Sequence, residues 1–490
     1  MGNRLGDGVR VRFAPSPTGG PHVGNIRTAI YDWLLARGSG GALVIRVEDT
    51  DQTRKVVGAI EELLDALSWL GISWDEGPDI GGPHEPYVQS ERLDKYHDAI
   101  ERLIGKGAAY RCYCTPERLS EMREQQQRKK GQIGYDSLCK TLSEDEREER
   151  EAAGLVSVVR FAMPSEGVIR LDDIVRGEVV FENGLVDDFV MLKGDGFPTY
   201  HLANVVDDHL MDITHVLRAE EWLPSAPRHL QIYRALGWDP PLYAHLPVIL
   251  APDRSKLSKR HGATSIMEYR EQGYIAPALV NFLTLLGWSL DDKTEIMSAA
   301  ELTKNFSLDR VSRSGALFDA DKLAWMNGHY IREMDDDELA DALLEYWARY
   351  PVDGIPGSPD RGVVVKIAPL VRERLKTLAD AAPLVTFFFA QQVEYETGEL
   401  VHRKMDEAGT RAALDGALAV LEAIQTFDTE SIETALRALA EEQGIKVGLL
   451  LGSIRIATTG LKVSPPLFET LDILGRDRCL TAIGAAVARL

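Results

Sequence analysis

A chain of 490 residues is longer than one hydrophobic core organises, about 250 to 300 residues, so several domains are expected. Its 44% hydrophobic and 27% charged content is that of an ordinary folded protein in water. No apolar run reaches the ~18 residues of a membrane span, and no secretory core precedes Gly8. The four cysteines make no disulfide framework, so the cytoplasm is the expected compartment. A net charge of −21 weakly disfavours nucleic acid, because the local patch rather than the total decides such binding.

The first fifty residues read as strand, loop, helix, strand. Val9-Arg10-Val11-Arg12-Phe13 alternates as a short strand does. Ala14 to Pro21 cannot extend it, since its prolines lack amide donors and its glycines permit tight turns. Ile26, Ala29, Ile30, Trp33 and Leu34 then recur at helical spacing, with Gly38 as the expected stop. Leu43 to Val47 is the apolar run of a buried strand. Ile60, Leu63, Leu64, Leu67 and Leu70 share the face of another helix. Strands alternating with helices predict a parallel, doubly wound sheet of the Rossmann type.

Between about residues 96 and 199 that pattern loosens into an α+β insertion. Ser143 to Glu151 reads as a solvated helix face, and short β-like pieces such as Val156 to Phe161 follow. Strand and helix resume near Tyr200, through Ile213 to Arg218 and a helix near Pro227. Beyond about 325 the chain is rich in Ala, Leu and Glu and reads as all-α. One helix there is expected to be capped by Asp428 or Thr429, with Ile432, Ala435, Leu436 and Leu439 inward and a stop at Gly444.

No P-loop and no Gly-x-Gly-x-x-Gly follows a strand, so phosphate chemistry falls to two other elements. Pro15-Ser16-Pro17-Thr18-Gly19-Gly20-Pro21-His22-Val23-Gly24-Asn25 enters a helix whose amino end suits a polyphosphate. Gly24 allows a close approach of an adenine ring, and His22 can donate to phosphate. Lys256-Leu257-Ser258-Lys259-Arg260-His261-Gly262 is a cationic loop able to stabilise charge on departing phosphates.

These elements resemble the "HIGH" and "KMSKS" motifs of class I aminoacyl-tRNA synthetases, in order and in context. Arg12 to Gly19, Arg46 to Asp51, Tyr200 to His209, Arg218 to Trp222 and Leu323 to Gly328 narrow the resemblance to the glutamyl branch. One departure is Asn25, where the motif ends in His; it receives no catalytic role.

The resemblance implies glutamate activation by ATP with Mg²⁺, then transfer to tRNA(Glu), by a monomer that needs tRNA for the first step. Whether tRNA(Gln) is also charged is left open. Arg12, Arg218 and Tyr200 are implied for the γ-carboxylate, and Ser16, Glu48 and Asn204 for the amino end. ATP falls to His22, Gly24, Glu221, the Ile249 backbone, Lys256 and Lys259, with His22, Lys256 and Lys259 catalytic. An arginine's planar fork suits a carboxylate. The implied domains are a catalytic domain at 1–95 and 200–248, an inserted acceptor-binding domain at 96–199 and a stem-contact domain at 249–330. An anticodon-binding region of two subdomains at 331–490 completes them, with Arg374 as anticodon reader in the patch Arg372 to Lys376.

Cys112, Cys114 and Cys139 resemble a zinc site that some members carry, but its fourth position here is Thr141, so zinc is not expected, and a three-sulfur site completed by Tyr135 or water is left open. Asp207-Asp208-His209 reads as structural hydrogen bonding. A shorter paralogue that modifies a tRNA base would lack the helical tail, and a non-catalytic binding protein would have no need of His22, Lys256 and Lys259.

Overall fold

The computed structural model describes residues 8–130, 133–261 and 264–490, without the side chain of Lys259. The chain divides into two compact units, one running to Glu268 and including Leu279–Asp319, the other formed by Tyr269–Ala278 and Ala320–Leu490.

In the first unit β1 (Arg10–Phe13), α1 (Val23–Ser39) and β2 (Ala42–Ile45) make the expected βαβ start, with β1 and β2 parallel. α1 is buried on most sides, with Ile26, Ala29, Ile30 and Leu34 fully buried. It does not stop at Gly38. It continues to Ser39 and is capped by Gly40 at φ 67°, a left-handed conformation that glycine adopts without a Cβ clash. Gly38 serves packing instead, since a Cβ there would lie 2.7 Å from the Thr303 carbonyl.

α2 (Ala59–Trp69) and α3 (Leu93–Gly105) follow, then β3 (Ala109–Cys112), β4 (Val158–Phe161), β5 (Val168–Asp173), β6 (Gly177–Glu182) and β7 (Val190–Leu192). β3, β4 and β7 form an antiparallel sheet. The charged run forms the exposed helix Glu144–Ala152, started by a Ser143–Glu146 capping box. The helix Tyr200–Leu210 leads to β8 (His215–Ala219), and the helix Ala226–Leu236 to β9 (Leu242–Leu246).

β8 and β9 are parallel, and the Thr214 amide donates to the Arg10 carbonyl at 2.9 Å, laying β8 beside β1. β5 joins β9, and β6 joins β5. The order β2-β1-β8-β9-β5-β6 places the reversal of winding between β1 and β8, the switch point where α/β sheets bind ligands. β10 (Ile249–Leu250) pairs with β11 (Ala316–Leu317) beyond it.

The second unit is helical. One core gathers Ile275, Ile331, Leu343, Ile367, Val371 and Phe388, and another Leu414, Leu436, Ile454, Leu471 and Ile483. The helix Thr429–Glu442 is capped by Asp428, which accepts from the Ser431 amide. Ile432, Leu436 and Leu439 face inward as expected, and Ala440 is the fully inward alanine where Ala435 is half-buried.

Candidate active site

A cleft of about 1030 Å³ opens at the switch point, lined from the ends of β1 and β8 and from the two motif loops. It is held within the first unit. It gathers Arg12, Ser16, His22, Gly24, Glu48, Tyr200, Asn204, Arg218, Glu221, Ile249 and Lys256. Of the residues expected at the active site, only Lys259 stays out of view, because its side chain lies outside the described residues.

His22 lines the cleft. It caps α1, and its Nδ1 accepts the Gly24 amide at 3.1 Å. A neutral ring with a lone pair on Nδ1 carries its proton on Nε2, so that edge is a donor. No acidic residue sits in the first turn of α1, where an anion would be favoured by the helix dipole.

The cationic loop is anchored by its backbone. The Leu257 amide donates to the Ile249 carbonyl at 2.9 Å, so the loop bearing Lys256 returns alongside β10. Lys256 pairs with Glu221, both well exposed. Such a pair is worth roughly 0 to 1 kcal/mol and separates easily when a nucleotide competes for either partner.

At the other chemical pole are the arginines. Arg12 is 4% exposed and donates from Nε to Asp208 Oδ1 at 3.0 Å. Arg46 reaches the same oxygen at 2.7 Å and Glu48 Oε1 at 3.1 Å. The Asn204 amide is satisfied when Nδ2 faces Asp208 Oδ2 (3.2 Å) and Oδ1 faces Arg46 Nη2 (3.1 Å). Burial raises the Glu48 carboxyl above its ordinary range, against the pull of Arg46. A ligand ammonium would stabilise its ionised form. Ser16 is exposed on the cleft.

Arg218 lies 5% exposed on β8. It donates from Nε to His245 Nε2 at 2.9 Å, and from Nη1 to the Tyr200 hydroxyl and to His229 Nδ1, both at 3.2 Å. Its Nη2 is buried without a hydrogen-bond partner. Tyr200 in turn packs tilted against Trp222, ring centroids 4.6 Å apart.

Asp207 and Asp208 are structural, as read from the sequence. Asp207 accepts from Gln89, Arg92 and Tyr96, while His209 stacks on Trp238 at 3.9 Å. Arg46, His229 and His245 are the residues that sequence reasoning assigned no role. A buried histidine on a helix or strand looks like any core histidine, so no signal in the sequence marks the last two.

Elsewhere in this unit the Cys112, Cys114 and Cys139 sulfurs lie within 4.8 Å of one another. Tyr135 holds the cluster together, its hydroxyl 3.3 Å from Cys112 Sγ and 3.5 Å from Cys114 Sγ. Thr141 turns its hydroxyl to the Leu138 carbonyl at 3.1 Å. The three sulfurs and the Tyr135 hydroxyl therefore lie together, while Thr141 is turned away. In the second unit Arg374 is exposed on a short helical turn, tied by Nη1 to the Ser464 carbonyl at 2.8 Å.

A switch-point cleft with a histidine-capped helix amino end, a returning cationic loop and buried arginines is the catalytic architecture of class I tRNA synthetases. The family model described as "tRNA synthetases class I (E and Q), catalytic domain" matches residues 8–325, and one described as "Anticodon binding domain" matches 338–487. The chain is 51% identical over 482 residues to a glutamate–tRNA ligase of Dehalococcoides mccartyi, covering 98% of each. It is 43% identical over 480 residues to that of Moorella thermoacetica, again covering 98% of each. A crystal structure of a glutamate tRNA ligase from Elizabethkingia meningosepticum in complex with its amino acid superposes with a TM-score of 0.87. Its identity is 34%, and the match covers 98% of this chain and 99% of that one. The chain belongs to the glutamyl and glutaminyl family of class I tRNA synthetases. No helix among the described residues is long and apolar enough to cross a membrane.

Proposed function

We propose that the chain is a glutamate–tRNA ligase, a monomer of the cytoplasm that activates L-glutamate with ATP and loads it onto tRNA(Glu). The observation that carries this reading is Arg218, a buried arginine with one nitrogen unpartnered, lining the same cleft as the His22 phosphate donor. A substrate with a carboxylate at one end and a reaction with a nucleoside triphosphate at the other fits that pairing.

In this reading Arg218, Arg12 and Tyr200 hold the γ-carboxylate, while Glu48, Ser16 and Asn204 hold the amino group. The free α-carboxylate of glutamate attacks the α-phosphorus of ATP, which enters as its magnesium complex with the ion on the phosphates. The bond to the bridging oxygen breaks, and pyrophosphate leaves with glutamyl-adenylate remaining. No side chain acts as nucleophile, so catalysis rests on positioning and on charge stabilisation by His22 Nε2–H and the Lys256 and Lys259 ammonium groups. Glu221, Gly24 and the Ile249 backbone receive the ribose and adenine. A hydroxyl of the terminal tRNA ribose then attacks the activated carbonyl, expelling AMP.

Residues 96–199 and 249–330 are assigned to the acceptor end and stem of tRNA, and 331–490 to the anticodon, with Arg374 as reader. The cysteine cluster is assigned no zinc. The test is tRNA-dependent pyrophosphate exchange with each amino acid, followed by charging of purified glutamate and glutamine tRNAs. Exchange with glutamate alone supports the reading, and no exchange with glutamate in the presence of tRNA overturns it.

A further inference from the structure

The two buried arginines assigned to the γ-carboxylate differ in how their charge is met. Arg12 shares Asp208 with Arg46, at 3.0 and 2.7 Å, so a carboxylate already balances it. Every hydrogen-bond acceptor on Arg218 is neutral: His245 Nε2, His229 Nδ1 and the Tyr200 hydroxyl.

Tautomers follow from the partners. His245 Nδ1 lies 2.5 Å from Asp173 Oδ2. Burial and the Arg218 charge press the imidazole toward neutrality, and the amides of Val175 and Arg176 donate to Asp173 at 3.0 and 2.8 Å, favouring its ionised form. The His245 proton therefore sits on Nδ1, and Nε2 offers its lone pair to the Arg218 Nε–H. The strand register makes this contact direct, pairing Arg218 on β8 with His245 on β9.

On the other edge, His229 Nδ1 accepts from Arg218 Nη1, so its own proton is on Nε2, 3.1 Å from His201 Nδ1. Burial and Arg218 hold His229 well below its usual basicity. Three planar acceptors thus fix the fork and leave Nη2 over, without cancelling the positive charge. A carboxylate in either histidine position would fix the fork equally well, but it would form an internal ion pair and spend the charge on the protein.

We infer that His245, aligned by Asp173, and His229, aligned by His201, are positioning and specificity-determining residues. They hold Arg218 oriented but uncompensated, and so favour a substrate side-chain carboxylate over the isosteric amide. This rests on the glutamate reading above. The physical basis is that an arginine already paired gains little from a second carboxylate, whereas an unpaired one in a desolvated site gains a charge-assisted bond.

The experiment compares tRNA-dependent exchange for glutamate and glutamine in wild type, His229→Leu, His229→Asn, His229→Glu, His245→Leu and His245→Gln, with thermal unfolding of each. The leucine variants free the fork, and misplacement of a binding group typically costs ~10²-fold. The expected result is a rise of that order in KM for glutamate with KM for ATP within about twofold. His229→Asn and His245→Gln keep an acceptor near the lost nitrogen and recover most of the affinity, which a merely structural role would not predict. His229→Glu keeps the fork but cancels the charge, so the preference for glutamate over glutamine falls by about tenfold or more. The inference is overturned if the glutamate to glutamine preference is unchanged in His229→Glu, or if the KM for ATP rises in step with that for glutamate. Wild-type protein that does not use glutamate would instead overturn the function reading, so the two failures are separable.

Discussion

Removing Arg218 separates recognition of the amino acid from recognition of the nucleotide. In Arg218→Ala the ligand carboxylate enters a cleft whose other assigned arginine, Arg12, is already engaged by Asp208. Loss of a charge-assisted partner in such a site costs roughly 2 to 5 kcal/mol, about 30- to 5,000-fold in glutamate affinity. The fold pays separately: His245, His229 and Tyr200 each lose a donor, at about 1 kcal/mol per bond, or roughly 3 kcal/mol of stability. Nothing in the change touches His22, Lys256 or Glu221, so nucleotide binding is expected to hold. Steady-state exchange kinetics give KM for glutamate and for ATP, and calorimetry gives the unfolding temperature. A large rise in KM for glutamate alone fits the assignment. Equal rises for both substrates, tracking the loss of stability, would refute it and leave Arg218 a structural residue.

Lys256→Ala is expected to lower the exchange rate by ~10²- to 10³-fold with a smaller change in ATP affinity, since a loop cation acts mainly on charge developing at the phosphates; a rate within about threefold of wild type counts against this role. His201, His229 and His245 are all depressed, His201 to about 3, chiefly by burial. The unfolded chain therefore binds protons that the folded one does not, so stability is full above about pH 6.5 and falls as pH drops below it, by up to ~1.4 kcal/mol per pH unit per histidine. Unfolding temperatures from pH 8 to 5 check this, and His201→Gln is expected to flatten the acid limb. With Thr141 turned away from the three thiols, metal analysis is expected to find well under one zinc per chain, and a chelator to leave unfolding unchanged; one tightly held zinc per chain would contradict this. Arg374→Ala is expected to leave glutamate and ATP kinetics intact and to weaken charging by about 1 to 3 kcal/mol at one anticodon base if it reads a base edge. Unchanged charging of every anticodon variant would make it a plain surface charge.

The sequence made the catalytic scaffold legible because its signals are local. Two prolines end β1, helical spacing defines α1, and the residues at the strand ends carry the chemistry. What it left hidden depends on partners distant in the chain. Gly38 and Gly40 are equally good helix stops by composition. The structure uses Gly40 as the left-handed cap and Gly38 to admit the Thr303 carbonyl. The hairpin β5–β6 arises within the segment read as an insertion, yet β5 lines up with β9, Asp173 opposite Tyr243, and so brings a carboxylate to His245.

That placement explains why the two arginines read alike in the sequence while their difference did not show. Arg12 and Arg218 are alike as residues, each in a strand that ends at the switch point. What distinguishes them is the charge of the groups they meet: Asp208 from the helix Tyr200–Leu210 for the first, and imidazoles from β9 and the helix Ala226–Leu236 for the second. Selectivity for an acid over its amide depends on net charge within a few ångströms, and so on the sheet order and register that set those neighbours. On the proposed reading, Arg218 discriminates because the fold surrounds it with groups that hold a guanidinium without neutralising it.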